Sequence, residues 1–145
     1  MTLVLHQLLG RHCYAGVRYQ LSDASLHDVF PEIPTTVSAV ANASRNSVLH
    51  HVRLQTGLNH PNGLFASAGA DWYAQTNTGY NAGAVPGDDF WQFNLHAGWR
   101  FSRRRAQLEL GLLNLANQDY RLYPLNSYAD LPRSRTLAVS IKLNF

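Results

Sequence analysis

Long apolar runs are missing from this 145-residue chain: no stretch of about 18 apolar residues occurs, so no segment can cross a bilayer as a helix. Charge is scarce, at 14% of residues against roughly 25% in soluble domains. Lys142 is the only lysine, so the net charge of +3 is almost wholly arginine. Only Arg103, Arg104 and Arg105 cluster, in a solvated turn, and the scattered remainder points away from nucleic acid as a partner. The lone Cys13 excludes an internal disulfide framework and suits a buried thiol. Residues 1–9 carry neither the basic start nor the small-residue cleavage site of a secretory signal.

Catalytic signatures are equally sparse. There is no Gly-x-Ser-x-Gly elbow, no phosphate-cradling glycine loop, no His-Glu-x-x-His and no cysteine pair for zinc. His50 and His51 are adjacent, so in a strand they face opposite ways and cannot share a metal. Ser67, His96 and Asp71 share a parity, but that alone is too little for a nucleophilic triad. The expectation is a protein that is not an enzyme, with no cofactor and no metal site.

What the chain does have is alternation. Trp91, Phe93, Leu95, Ala97, Trp99 and Phe101 interleave with Gln92, Asn94, His96, Gly98 and Arg100, the period-2 signature of a strand with two unlike faces. The same pattern marks strands at 12–21, 47–58, 64–75, 106–115 and 135–145, the last ending on the aromatic Phe145. Residues 2–9 are apolar and ambiguous in phase, a doubtful seventh strand. Three long loops separate these segments, at about 22–46, 76–89 and 117–134, the first with a short helical turn near 24–29. Between them stand two tight turns, His60-Pro61-Asn62-Gly63 and the arginine triplet.

Long and short connections therefore alternate, which places tight turns at one end of an antiparallel up-and-down meander of six to seven strands and long loops at the other. Such an asymmetry is the layout of outer-membrane barrels, whose periplasmic turns are short and extracellular loops long. Trp91 and Trp99 share a face eight residues apart, roughly 26 Å at about 3.3 Å per residue. Tilted by about 40°, that projects to roughly 20 Å, near the roughly 25 Å apolar band between two aromatic girdles. Trp72 and Trp91 would lie in the outer girdle, and Trp99, Phe101 and Phe145 in the inner one. Arg18, His51, Arg53, Asp71, His96, Arg100, Glu109 and Lys142 fall on the opposite parity and would line a wet lumen. In a soluble β-sandwich those charges would face solvent, and a second sheet would have to cover the apolar face.

From Phe93 onward the chain resembles the C-terminus of a TonB-dependent outer-membrane receptor. The resemblance is carried by a strand at 94–101, by Leu110-Gly111-Leu112-Leu113-Asn114-Leu115 leading to Asp119-Tyr120, and by Pro132-Arg133-Ser134-Arg135-Thr136 opening a strand that ends in Phe145. Leu131-Pro132-Arg133 stands where that family has a Gly-Arg step.

The resemblance implies a segment of a transmembrane β-barrel in the Gram-negative outer membrane, contributing to the binding and uptake of a scarce solute such as an iron chelate. It implies outer-membrane lipid as a partner, the barrel-assembly machinery reading the strand that ends in Phe145, and the TonB energy-coupling system if an N-terminal part exists. Tyr80, Asp88, Asp89, Tyr120, Arg121 and Tyr123, in the long loops, become candidate ligand contacts. A whole receptor has a plug and about 22 strands, so the expectation is the C-terminal portion of a larger barrel, from a truncated gene or split reading frame, that does not fold stably alone. Two other readings stay open: a small stand-alone outer-membrane barrel with a structural or adhesive role, and a soluble β-sandwich binding module.

Overall fold

The computed structural model describes residues 1–34, 36–38, 42–80, 87–101, 105–122 and 131–143. Seven strands, β1 (Thr2–Leu9), β2 (Cys13–His27), β3 (Ser44–Asn59), β4 (Leu64–Thr78), β5 (Gly87–Phe101), β6 (Ala106–Leu113) and β7 (Thr136–Leu143), form one antiparallel sheet in sequence order. The fold is all-β, an up-and-down meander, with no helix among the described residues. The doubtful first segment is a full strand, paired from Thr2↔Gln20 to Leu9↔Cys13. Among the described residues the sheet is not closed: β1 pairs only with β2, and β7 only with β6.

Two expected loops are shorter than the pattern suggested. β2 runs through to His27 and β3 starts at Ser44, their ladder closing with His27↔Ser44, so the helical turn near 24–29 is replaced by strand. Likewise β4 continues to Thr78 and β5 starts at Gly87. The physical reason is shared: Asp23, Ser25, Asn46, Thr76 and Thr78 put polar residues on the otherwise apolar face, which erases the alternation while the β2–β3 and β3–β4 ladders continue. At the other extreme β6 stops at Leu113, because Asn114 takes the left-handed conformation (φ 50°) and leaves the ladder.

The register confirms the two-faced reading. Val52, Trp72 and Trp91 stand in one row, and Trp99 faces Leu64 and Leu108. On the other face Arg53, Asp71 and Gln92 form a row, as do Tyr14, Gly57, Ser67 and His96. Burial, however, is inverted relative to a water-soluble sheet. Leu95, Trp99, Leu110, Val139 and Ile141 are exposed, while Ser47, Asp71, Gln75 and Gln92 are buried, Gln92 to 1%. A single sheet buries one face without a second layer only by curling toward it, and here the sheet curls toward its polar side.

Glycines permit that curl. A Cβ on Gly57 would meet the ring of Tyr14, one on Gly98 the ring of Phe65, and one on Gly16 the imidazole of His6. Each ring lies across the neighbouring strand in the space that the missing side chain leaves. Gly57→Ala should therefore lower the unfolding midpoint by an amount worth about 1–3 kcal/mol, the scale of overpacking. A urea titration checks this, and Tyr14→Ala in the same chain should restore part of the loss.

Candidate functional site

All eight residues expected on the polar face lie there by register, but they fall into separate groups. At its centre Asp71 Oδ1 accepts from Arg53 Nε and from the His51 ring, each at 2.7 Å, with Asp71 only 5% exposed. A lone carboxylate buried so deeply would be expensive, and the two flanking partners offset that. Lower on the face, His96 Nδ1 meets Glu109 at 3.2 Å. Arg100 donates to Gln107 Oε1 and Asn59 Oδ1 and lies 4.2 Å above the Phe65 ring. Arg18 donates to Gln20, and Lys142 sits on the edge strand opposite Gln107.

Ser67 faces His96 across β4 and β5, yet His96 is turned to Glu109 and Asp71 to Arg53 and His51. The geometry joins the carboxylate to the Arg53 guanidinium and the His51 ring and not to a nucleophile. His50 and His51 do point apart, His50 to Tyr19 at 2.8 Å on the apolar side and His51 to Asp71. Among the described residues no three His, Cys, Asp or Glu side chains converge as metal ligands would.

Above the Asp71 row the polar face holds an aromatic stack that strand parity did not reveal. His51, Tyr73 and Phe90 are direct cross-strand neighbours, with ring centroids 4.2 and 5.3 Å apart, and Tyr120 continues the stack at 5.3 Å. Leu49 joins Tyr73, Phe90 and Tyr120 in the buried cluster, with Leu122 and Leu131 against it. The segment after β6 folds down over this end of the sheet. Its Tyr120, offered as a ligand contact, is 7% exposed, with its hydroxyl donating to Leu131 O and accepting from Leu131 N.

The residues that carry the family resemblance meet in that same segment. Asn114, fully buried, donates from Nδ2 to the carbonyls of Gln118 and Pro132 and accepts from Gln118 N, all at 2.8 Å. Gln92 donates to Pro132 O as well. Arg133 lies 4.9 Å over the Tyr120 ring, and Arg135 donates twice to Leu115 O. Of the other loop candidates, Asp88 Oδ2 accepts from Arg121 N, Asp89 accepts from Trp72 Nε1, and Tyr80 lies beneath Arg45. Tyr123 lies outside the described residues.

On the apolar face Trp72 and Trp91 are adjacent, 6.5 Å between centroids, with Phe93 stacked next to Trp91 at 6.1 Å. The row above them, Leu21, His50, Ala74 and Asp89, is where the face turns polar. Trp99 marks the lower level and donates to Asn62 O in the tight turn, with Phe101 just beyond it on β5. Phe145, like Arg103 and Arg104, lies outside the described residues. Between the two tryptophan levels a trough of about 710 Å³ crosses the small side chains of Ala68 and Ala70.

No protein-family model matches the chain, and no curated protein or solved structure matches it.

Proposed function

We propose that this sheet is a section of an outer-membrane β-barrel of the TonB-dependent receptor type, with its polar face bordering the passage of a scarce solute. One observation carries the reading: across β3 to β6 the apolar face is exposed or half-buried, with Leu54, Trp91, Leu95, Trp99 and Leu110 exposed, while the polar face of β3 to β5 holds the buried, hydrogen-bonded Asp71 and Gln92. In water such a surface would be a patch far beyond the few hundred Å² that monomers tolerate. In hydrocarbon it is the stable side, and the tryptophan levels fall where an apolar band ends. A β-sandwich would need a second sheet over this face, and among the described residues none is present. The knot around Asn114, Tyr120 and Pro132 supports the receptor type, since the residues of the resemblance have a common physical task there. It also holds residues 118–122 against the polar face, toward the passage, which suits a solute path better than an adhesive outer surface.

The test is refolding from denaturant with and without amphiphile. The expected result is a compact species formed only in detergent or lipid, less stable than a closed barrel because β1 and β7 are open edges, and migrating faster on a gel before boiling than after it. A monomer that stays folded in plain buffer would overturn the membrane reading. The receptor type is tested separately, by whether the coding sequence upstream of Met1 encodes a plug domain.

A further inference from the structure

Gly16, Gly57 and Gly98 on the polar face lie under a neighbour's ring, but Gly69 does not: a Cβ there would meet only Leu54 O, at 3.8 Å. Over Gly69 the face opens into a cavity of about 250 Å³ whose walls include Tyr14, Gln55, Ser67, Asp71 and Asn94. At ~30 Å³ per water that space equals about eight waters, just under the roughly 300 Å³ at which pockets for drug-sized ligands begin. It admits a single six-membered ring with its substituents.

The wall chemistry is mixed and locally neutral. Asp71 Oδ1 is taken by His51 and Arg53, and no protein donor among the described residues takes its Oδ2. Asn94 Oδ1 accepts from Asn114 N, which leaves its Nδ2 as a donor, and Gln55 Nε2 is turned to His6, which leaves its Oε1 as an acceptor. The hydroxyls of Tyr14 and Ser67 have no protein partner among the described residues and can both donate and accept. An anion would confront Asp71 and a cation would confront Arg53. A ligand hydroxyl uses both kinds of wall group at once.

We infer that this cavity is a subsite for a neutral, hydroxyl-rich solute of monosaccharide size. The inference rests on the reading of the polar face as the border of a solute passage and narrows what passes.

The test uses the full chain refolded in detergent, with D-glucose and inorganic phosphate as the two probes in calorimetric titrations. Saturable glucose binding is expected, with phosphate at least 10-fold weaker. Gly69→Leu fills the cavity and should abolish glucose binding. Should that variant fail to fold, Ser67→Ala decides, since it removes one hydroxyl and is expected to weaken glucose about 3- to 10-fold, the value of one hydrogen bond. Phosphate binding as tight as glucose, no glucose binding to a heat-modifiable, folded protein, or a Ser67→Ala affinity equal to the parent's would each overturn the subsite. Folding in plain buffer would instead sink the membrane reading, so the two failures are distinct.

Discussion

Replacing Leu95 by arginine is expected to lower folding stability in a phospholipid bilayer by about 2–4 kcal/mol, the range for a cation at the midplane on a lipid face. Leu95 lies four residues from Trp91 and four from Trp99 on the same strand face, midway between the two aromatic levels. It is exposed, and it faces Ala68 and Leu112 across its neighbours, so the substitution removes little protein packing. Leu64 supplies the comparison, because it stands opposite Trp99 at the lower level, and arginine there is expected to cost only about 0–1 kcal/mol. Urea titrations of both variants in vesicles measure the difference. Equal losses would mean that the face has no depth profile, and the lipid reading would fall. In water, by contrast, either arginine on an open face would be neutral or helpful.

Which side of each strand is apolar was legible because alternation with period 2 needs no knowledge of neighbours. Trp72, Trp91 and Trp99 could be given a face from spacing alone, and the structure puts the first two side by side. What spacing could not supply is register. Tyr73, Leu49 and Phe90 sit on the polar parity, and only the pairings His51↔Tyr73 and Tyr73↔Phe90 turn three scattered rings into one stack. The glycine and ring pairs are hidden for the same reason, since Gly57 and Tyr14 lie far apart in sequence and meet through the β2–β3 ladder. Strand length failed differently. Beyond the Trp72 row the apolar face turns polar, so residues 22–27 and 44–46 lose their periodic signal while the β2–β3 ladder continues. Asn114 was visible only as part of a motif, and its task became clear once Gln118 and Pro132 were seen to share its amide.

That amide is where the second large effect is expected. Asn114→Ala deletes three hydrogen bonds from a fully buried site, takes the side-chain partner from both Gln118 N and Gln118 O, and leaves Pro132 O to Gln92. At about 0.5–1.5 kcal/mol net for each bond, the loss is about 2–4 kcal/mol. The backbone adds to it: alanine in a left-handed conformation costs roughly 1 kcal/mol that asparagine largely escapes. Asn114→Gly separates the two contributions, since glycine accepts φ 50° freely but restores none of the bonds. The expected order of stability is parent, then glycine, then alanine, with most of the gap between parent and glycine. Limited proteolysis reports where the damage lies. Cleavage in the segment after β6 should rise sharply in both variants while β2 to β5 stay protected, because the Tyr120 ring reaches the Phe90 stack only when Asn114 and Gln92 hold Pro132 in place. Asn117 shares the left-handed conformation but has one side-chain bond, to Arg135 N, at an exposed site. Asn117→Gly should therefore change stability by no more than about 1 kcal/mol. Equal effects at 114 and 117 would show that backbone conformation, and not the buried amide, holds this segment against the sheet.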